Sequence, residues 1–388
     1  MTIWGKLSSR YEGKEHQQHK ILALDGGGIR GILTLEILAS MESVLAKAKG
    51  TGSNFRLCHF FDYIGGTSTG AIIAAGLAKG MSVAELLTFY QETGPAMFEK
   101  QFLLKRWKAL YKADPLKKLL QKTFGEKTTL KPDDLECLLL AVMRNRTTDS
   151  PWPMSSNPQA KYNDSTRPDC NLNIPLWQIV RASTAAPVYF PPEVIQWDPY
   201  DEKKAFVFVD GGITPFNNPA FLMYRMATEP GYRLNWASGE DKLLIMSVGT
   251  GAAAREDEDV DDPDHGLITN VSGIPGALMY GSMVDQDTNC RLVGRCVHGA
   301  PIDRELGDMI PRDAAGTALP LMQNQGRRFL YARYNAELSR PGLDRLGFSD
   351  IQPQNVQKLD SVEFIPDLRR IGKKVGEELA IEHFGTFA

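Results

Sequence analysis

The chain has 388 residues, of which 43% are hydrophobic and 23% charged, with a formal net charge of −3 and a pI near 6.1. That composition suits a globular protein with a sizeable core, and the lack of a basic excess argues against DNA or RNA as a partner. The five cysteines, Cys58, Cys137, Cys170, Cys290 and Cys296, are odd in number and form no CxxC pair, which argues against a disulfide framework or a zinc site and fits a reducing compartment.

In chain order, "MTIWGKLSSRYEGKEHQQHK" is polar and charged with no apolar centre, unlike a secretory signal. No apolar run nears the length of a membrane span, so the expectation is a cytoplasmic protein that meets membranes only from the surface. Residues 21–24 form a short apolar run. Three glycines follow, then the helical pattern of Ile32, Leu35, Ile37, Leu38, Met41 and Val44: strand, glycine turn, helix. Residues 60–64 repeat the plan, with a helix to about Lys79 that Gly80 stops. A third helix is expected over 82–91. Residues 97–122 read as helical and basic, and Pro115 is expected to break them.

"CLLLAVMRN" reads as a buried strand, "TTDSPWPMSSNPQAKYNDSTRPD" as loop or linker, and "IPLWQIVRASTAAP" as a helix ended by Pro187. "KAFVFVDGG" and "KLLIMSVGTG" read as strands ending in glycine turns. The acidic loop 255–264 lacks EF-hand spacing and reads as solvated rather than calcium-binding. Further helices are expected near 274–294 and 361–380. Strands alternating with helices imply an α/β fold around a mainly parallel sheet. No internal repeat and no clear domain linker occur.

The turn Asp25-Gly26-Gly27-Gly28-Ile29-Arg30-Gly31 contains GxGxxG, which raises a dinucleotide site. That reading expects an acidic residue at the next strand end. Glu42 has about the right spacing but falls inside the predicted helix. The other use of consecutive glycine amides at a helix start is to hold an oxyanion. Gly66-Thr67-Ser68-Thr69-Gly70 is GxSxG between a strand and a helix, the setting of a nucleophile elbow. Of the later histidines, His265 lies in the acidic loop, His383 in the tail, and His298 in no evident catalytic loop. Asp210, at a strand end before Gly211 and Gly212, is the better base once desolvated, although a strand-end cap is the bland account.

Together "LALDGGGIRGI", "FDYIGGTSTGAIIAAGLA", "IVRASTAAPVYFPP", "DGGITPFNNPA" and "LLIMSVGTG" resemble the patatin-like phospholipase family over roughly residues 18–252. The resemblance implies a three-layer α/β/α fold and a metal-free, cofactor-free Ser–Asp dyad. Ser68 would be the nucleophile and Asp210 the base. Gly26, Gly27 and Gly28 would form the oxyanion loop, supported by Arg30, Gly66, Gly70, Gly211 and Gly212. Arg30 either orients that loop, draws a lipid phosphate, or is a surface arginine. The final motif is DGG rather than DGA, and Asn217 and Asn218 fit the family's asparagine turn.

The implied activity is that of a phospholipase A type lipid acyl hydrolase acting on membrane phospholipids. A constitutive acyl hydrolase and a non-catalytic scaffold or storage protein are the alternatives. Some bacterial proteins of this kind serve anti-phage defence under a cyclic oligonucleotide activator. The part from 253 to 388 is expected to pack on the same domain, with 252–350 as a lid, oligomer contact or regulatory segment. There Arg291 and Arg295 are candidate nucleotide ligands, with salt bridges to Asp285 and Asp287 as the bland account. The basic stretch carries Lys100, Lys105, Arg106, Lys108, Lys112, Lys117, Lys118 and Lys122 among aromatics and leucines. It suits an anionic membrane surface, and equally a packed helix with a solvated basic face.

Overall fold

The computed structural model describes residues 2–97, 113–187, 189–252, 267–321 and 326–388. Most of the basic stretch, from Lys100 to Lys112, lies outside these residues, as do the acidic loop 255–264 and His265. The described strands are β1 His19–Leu24, β2 Tyr63–Thr67, β3 Leu138–Asn145, β4 Ser150–Ser155, β5 Glu193–Gln196, β6 Ala205–Asp210, β7 Leu243–Val248, β8 Arg295–His298 and β9 Leu330–Tyr334. They join one sheet in the order β5-β6-β3-β2-β1-β7-β9-β8, with β4 beside β3. The run from β3 to β8 is parallel, β4 and β6 each pair antiparallel with β3, and β5 pairs antiparallel with β6.

The helices of eight or more residues are α1 Gly31–Lys49, α2 Thr69–Ala78, α3 Val83–Met97, α4 Ala113–Phe124, α5 Leu176–Ser183, α6 Ala220–Thr228, α7 Leu267–Val293 and α8 Ile365–Gly376. Strand alternation divides the core in two. Leu22 and Leu24 of β1 face a cluster built with α1, α2, α3, α4, α5 and α8. Ile21 and Ala23 face the other side, with Leu222, Met223 and Met226 of α6 and the N-terminal Trp4 and Tyr11. The result is three layers, α/β/α.

Several elements differ from the sequence reading. Residues 57–60 make a helical turn, and the strand begins at Tyr63 and takes in Gly65 and Gly66. Polar, proline-containing Ser150–Ser155 is a strand, because it folds back on β3 as a hairpin at the sheet face. Pro115 sits in the first turn of α4, where its missing N–H costs nothing, and so it opens a helix instead of breaking one. β8 and β9 extend the sheet from the C-terminal part, and Gly372 of α8 lets that helix lie directly on Leu33 and Glu36 of α1.

One consequence of register positions the site. β4 pairs with β3 from Leu140 to Asn145, which fills one edge of β3. β6 must therefore pair along the other edge, the one β2 occupies up to Thr67 opposite Val142. Asp210 then falls opposite Met143, the next residue along. The residue after Thr67 and the last residue of β6 are thereby brought face to face.

Candidate active site

Ser68 leaves β2 with φ 55° and ψ −121° and is followed at once by α2. A non-glycine residue held at positive φ costs on the order of 1–3 kcal/mol and persists only where its surroundings enforce it. Here a Cβ at Gly66 would strike the carbonyl of Gly70, and one at Gly70 would strike that of Leu24. Only glycine at both places lets the elbow close. The Ser68 N–H donates to Ser183 Oγ at 3.0 Å, and that hydroxyl donates to the Val142 carbonyl at 2.5 Å. A buried serine at the end of α5 thus pins the elbow to β3.

Ser68 Oγ donates to Asp210 Oδ2 at 2.5 Å, and Asp210 Oδ1 accepts the Gly212 N–H at 2.7 Å. Burial pushes the Asp210 carboxyl up to about 6; the bonds from Ser68 and Gly212 and the nearby Arg181 charge oppose that rise but do not cancel it. A carboxylate so placed is a stronger base than one in water and is still mostly ionised at neutral pH. Gly211 must be small because a Cβ there would meet the Val142 carbonyl.

The glycine loop splits in function. The Gly26 N–H donates to the Asn217 carbonyl at 3.1 Å, so Gly26 is no free oxyanion donor, contrary to expectation. Its own carbonyl accepts from Thr250 Oγ1 at 2.9 Å. Gly27 and Gly28 face the same cavity as Ser68 and Asp210, and among the described residues their amides have no acceptor. Arg30 is half-buried and donates to the Gln357 carbonyl at 3.1 Å; its environment fits an anchor for the loop better than a surface arginine. Burial lowers its pKa to about 10, which leaves it charged at neutral pH. Asp25, just before the glycines, makes a buried two-point ion pair with Arg333 of β9, at 2.8 and 2.5 Å.

The rest of the cavity is apolar. Ile72, Tyr90, Leu116, Phe190, Ile213 and Met279 line it, with Leu359 beside Gly28. A hydroxyl nucleophile, a desolvated carboxylate and two free amides at one end of an apolar hollow can carry out acyl transfer on an ester with a hydrocarbon tail.

The histidines stand apart. His298 lies on β8, four strand spacings or about 19 Å from β2. It stacks on Tyr334 and His383 and pairs with Glu378. Arg291 and Arg295 are each 2% exposed. The Arg291 guanidinium is held by Asp287 and by the carbonyls of Ala300 and Asp308, and Arg295 donates to the Leu319 carbonyl. The salt-bridge account therefore applies to Arg291, and both side chains are spent inside the fold rather than offered to a ligand. Sequence reasoning missed Ser183 and Arg333. The first lay in view in "IVRASTAAP"; the second, an arginine inside the apolar run "LYARY", is itself the signal of a buried partner.

A family model described as patatin-like phospholipase matches residues 22–224. The chain is 32% identical over 246 residues to a cGAMP-activated phospholipase of Vibrio cholerae serotype O1, covering 60% of this chain and 64% of that protein. It is 32% identical over 210 residues to a cGAMP-activated phospholipase of Escherichia coli strain TW11681, covering 52% and 54%. It is 29% identical over 274 residues to Patatin-01 of Solanum tuberosum, covering 66% and 67%. The chain thus spans between 54% and 67% of the length of these relatives.

Proposed function

The chain belongs to the patatin-like phospholipase family, and on that footing we propose that it hydrolyses carboxylic esters of membrane phospholipids through Ser68 and Asp210. The observation that carries this reading is the 2.5 Å bond from Ser68 Oγ to Asp210 Oδ2, in the lining of a mostly apolar cavity. Asp210 takes the Ser68 proton as Oγ bonds to the ester carbonyl carbon. The negative charge that gathers on the carbonyl oxygen is met by the Gly27 and Gly28 amides, and each such donor typically lowers the barrier by about 2.7–4 kcal/mol. Collapse expels the lysophospholipid alcohol, which takes the proton from Asp210. Water then gives its proton to Asp210 as its oxygen bonds to the acyl carbon; collapse breaks the bond to Ser68 Oγ, which takes the proton back from Asp210, and the fatty acid is released.

The names of the two bacterial relatives support a second part: the activity rises when a cyclic nucleotide such as cGAMP binds, in keeping with a role in antiviral defence. The ligand would bind elsewhere than Arg291 and Arg295. A constitutive acyl hydrolase and a catalytically idle scaffold are the competing readings. Mass spectrometry of lipid products from phospholipid vesicles separates them. Free fatty acid and lysophospholipid formed by the wild type and not by Ser68→Ala support the hydrolase. Turnover that appears only with cGAMP supports the switch, turnover indifferent to it leaves a constitutive enzyme, and none in either condition leaves the scaffold.

A further inference from the structure

Two elements that line the cavity change character where they leave it. On α7, Met279 lines the cavity while its neighbours Leu278 and Tyr280 are 54% and 37% exposed. Gly276, Ala277 and Gly281 are exposed as well. Since successive helical positions are rotated by about 100°, this turn faces solvent around most of its circumference. Yet residues 267–284, "LITNVSGIPGALMYGSMV", contain no Asp, Glu, Lys, Arg or His, in a chain of which 23% of the residues are charged. A solvent-facing helix turn ordinarily carries charge. No described helix is long and apolar enough to cross a membrane, so this one would lie at a surface and not span it. On α4, Leu116 lines the same cavity, and Lys117 and Lys118 beside it are exposed. Trp177 supports the Lys117 ammonium, which sits 5.1 Å above its ring.

We propose that this rim, the exposed turn of α7 from Gly276 to Gly281 with Lys117 and Lys118 of α4, is the face by which the chain docks on an anionic lipid bilayer. Leu278 and Tyr280 enter the apolar edge of the leaflet, and the two lysines meet lipid phosphates. Charge decides the occupant. A second copy of the chain could cover the apolar turn but would bring its own lysines toward these; an anionic leaflet answers both features. The cavity then opens where lipid tails are, so an acyl chain passes from leaflet to Ser68 along Met279 and Leu116. This inference rests on phospholipids being the substrate, and its test is arranged so that the two can fail separately.

The test is cosedimentation of the full-length Ser68→Ala protein, which consumes no lipid, with phosphatidylcholine vesicles with and without phosphatidylglycerol, in the presence and absence of cGAMP. Leu278→Asp/Tyr280→Asp should weaken binding to both vesicle types by at least about tenfold. Lys117→Glu/Lys118→Glu should weaken it only on the anionic vesicles, and less at high salt. With Ser68 restored, both double variants should turn over a monomeric short-chain ester within about twofold of wild type, because none of the four side chains lines the cavity. Unchanged vesicle affinity in the Leu278/Tyr280 variant overturns the proposal, as does absence of vesicle binding in every condition. So does a shift from oligomer to monomer in sedimentation velocity with vesicle affinity intact, which would assign the face to a second copy. A wild type that binds vesicles through this rim but cleaves no ester would sink the hydrolase reading and leave the docking face standing.

Discussion

At the scale of single residues, the proposed roles of Ser68 and Asp210 predict separable effects on activity and on stability. Ser68→Ala should reduce ester turnover to background with an unchanged circular dichroism spectrum, since it trims one half-buried oxygen. Asp210→Asn should lower the rate by about 10²–10⁴ because the amide cannot take the proton. The same change should stabilise the fold. The folded carboxyl titrates near 6 against an ordinary value of 3.8, so between those values the native state keeps a proton that the unfolded chain releases. Stability therefore falls as pH rises through that window, by roughly 3 kcal/mol in all. Scanning calorimetry should find Asp210→Asn more stable than wild type at pH 8 and level with it at pH 4; the reverse order would contradict the burial argument. For the wild type, kcat/KM should climb with pH through about 6 and then level off. Ser68 and Asp210 could be picked out in the sequence as candidates because tight glycine turns leave local signatures. The surroundings of Arg291 and Arg295 could not, because one-dimensional spacing does not tell whether an arginine meets solvent or a carbonyl.

At the scale of elements, Ser183 is where α5, β3 and the elbow meet. Ser183→Ala leaves the Ser68 N–H and the Val142 carbonyl without partners in a buried place, which should cost about 1–3 kcal/mol of stability. Since the lost bond holds the nucleophile's own backbone, kcat should fall while KM stays; a loss confined to KM would mean that Ser183 acts on the cavity wall instead. The strands next to glycine turns were legible from their apolar runs. β4, β5, β8 and β9 were not. β4 holds two prolines, β8 has only four residues, and β9 carries Arg333 where an apolar run would announce a strand. Each is a strand because a neighbouring edge awaits it, a fact that resides in the sheet and not in the segment.

At the scale of the whole molecule, the buried pair of Asp25 and Arg333 joins residues 308 positions apart. Arg333→Met should destabilise the protein by about 3–5 kcal/mol, because it strands a buried carboxylate. Adding Asp25→Asn should restore part of that loss, as a double-mutant cycle in urea would measure. The α/β class around a mainly parallel sheet was legible from alternating strands and helices, and its three layers from the family resemblance, whereas this long-range closure was not, since no local pattern links its two ends.

That closure bears on when the protein can first act during its synthesis. The glycine loop near residue 27 is fixed from behind by Arg333, by the Gln357 carbonyl on Arg30, and by the Leu359 carbonyl on the Ile29 amide. All three holds come from a part of the chain made long after the loop itself. If Ser68 and Asp210 act as proposed, a growing polypeptide that has passed Asp210 would hold both of them but lack the contacts that fix the glycine loop. On the proposed reading, the chain should therefore leave nearby lipid untouched until the segment through about residue 360 has been made. Stalled nascent chains ending before residue 330 should fail to react with a fluorophosphonate ester probe, and chains extended past residue 388 by a linker should react; labelling of the shorter chains would show that the loop orders without its late clamps.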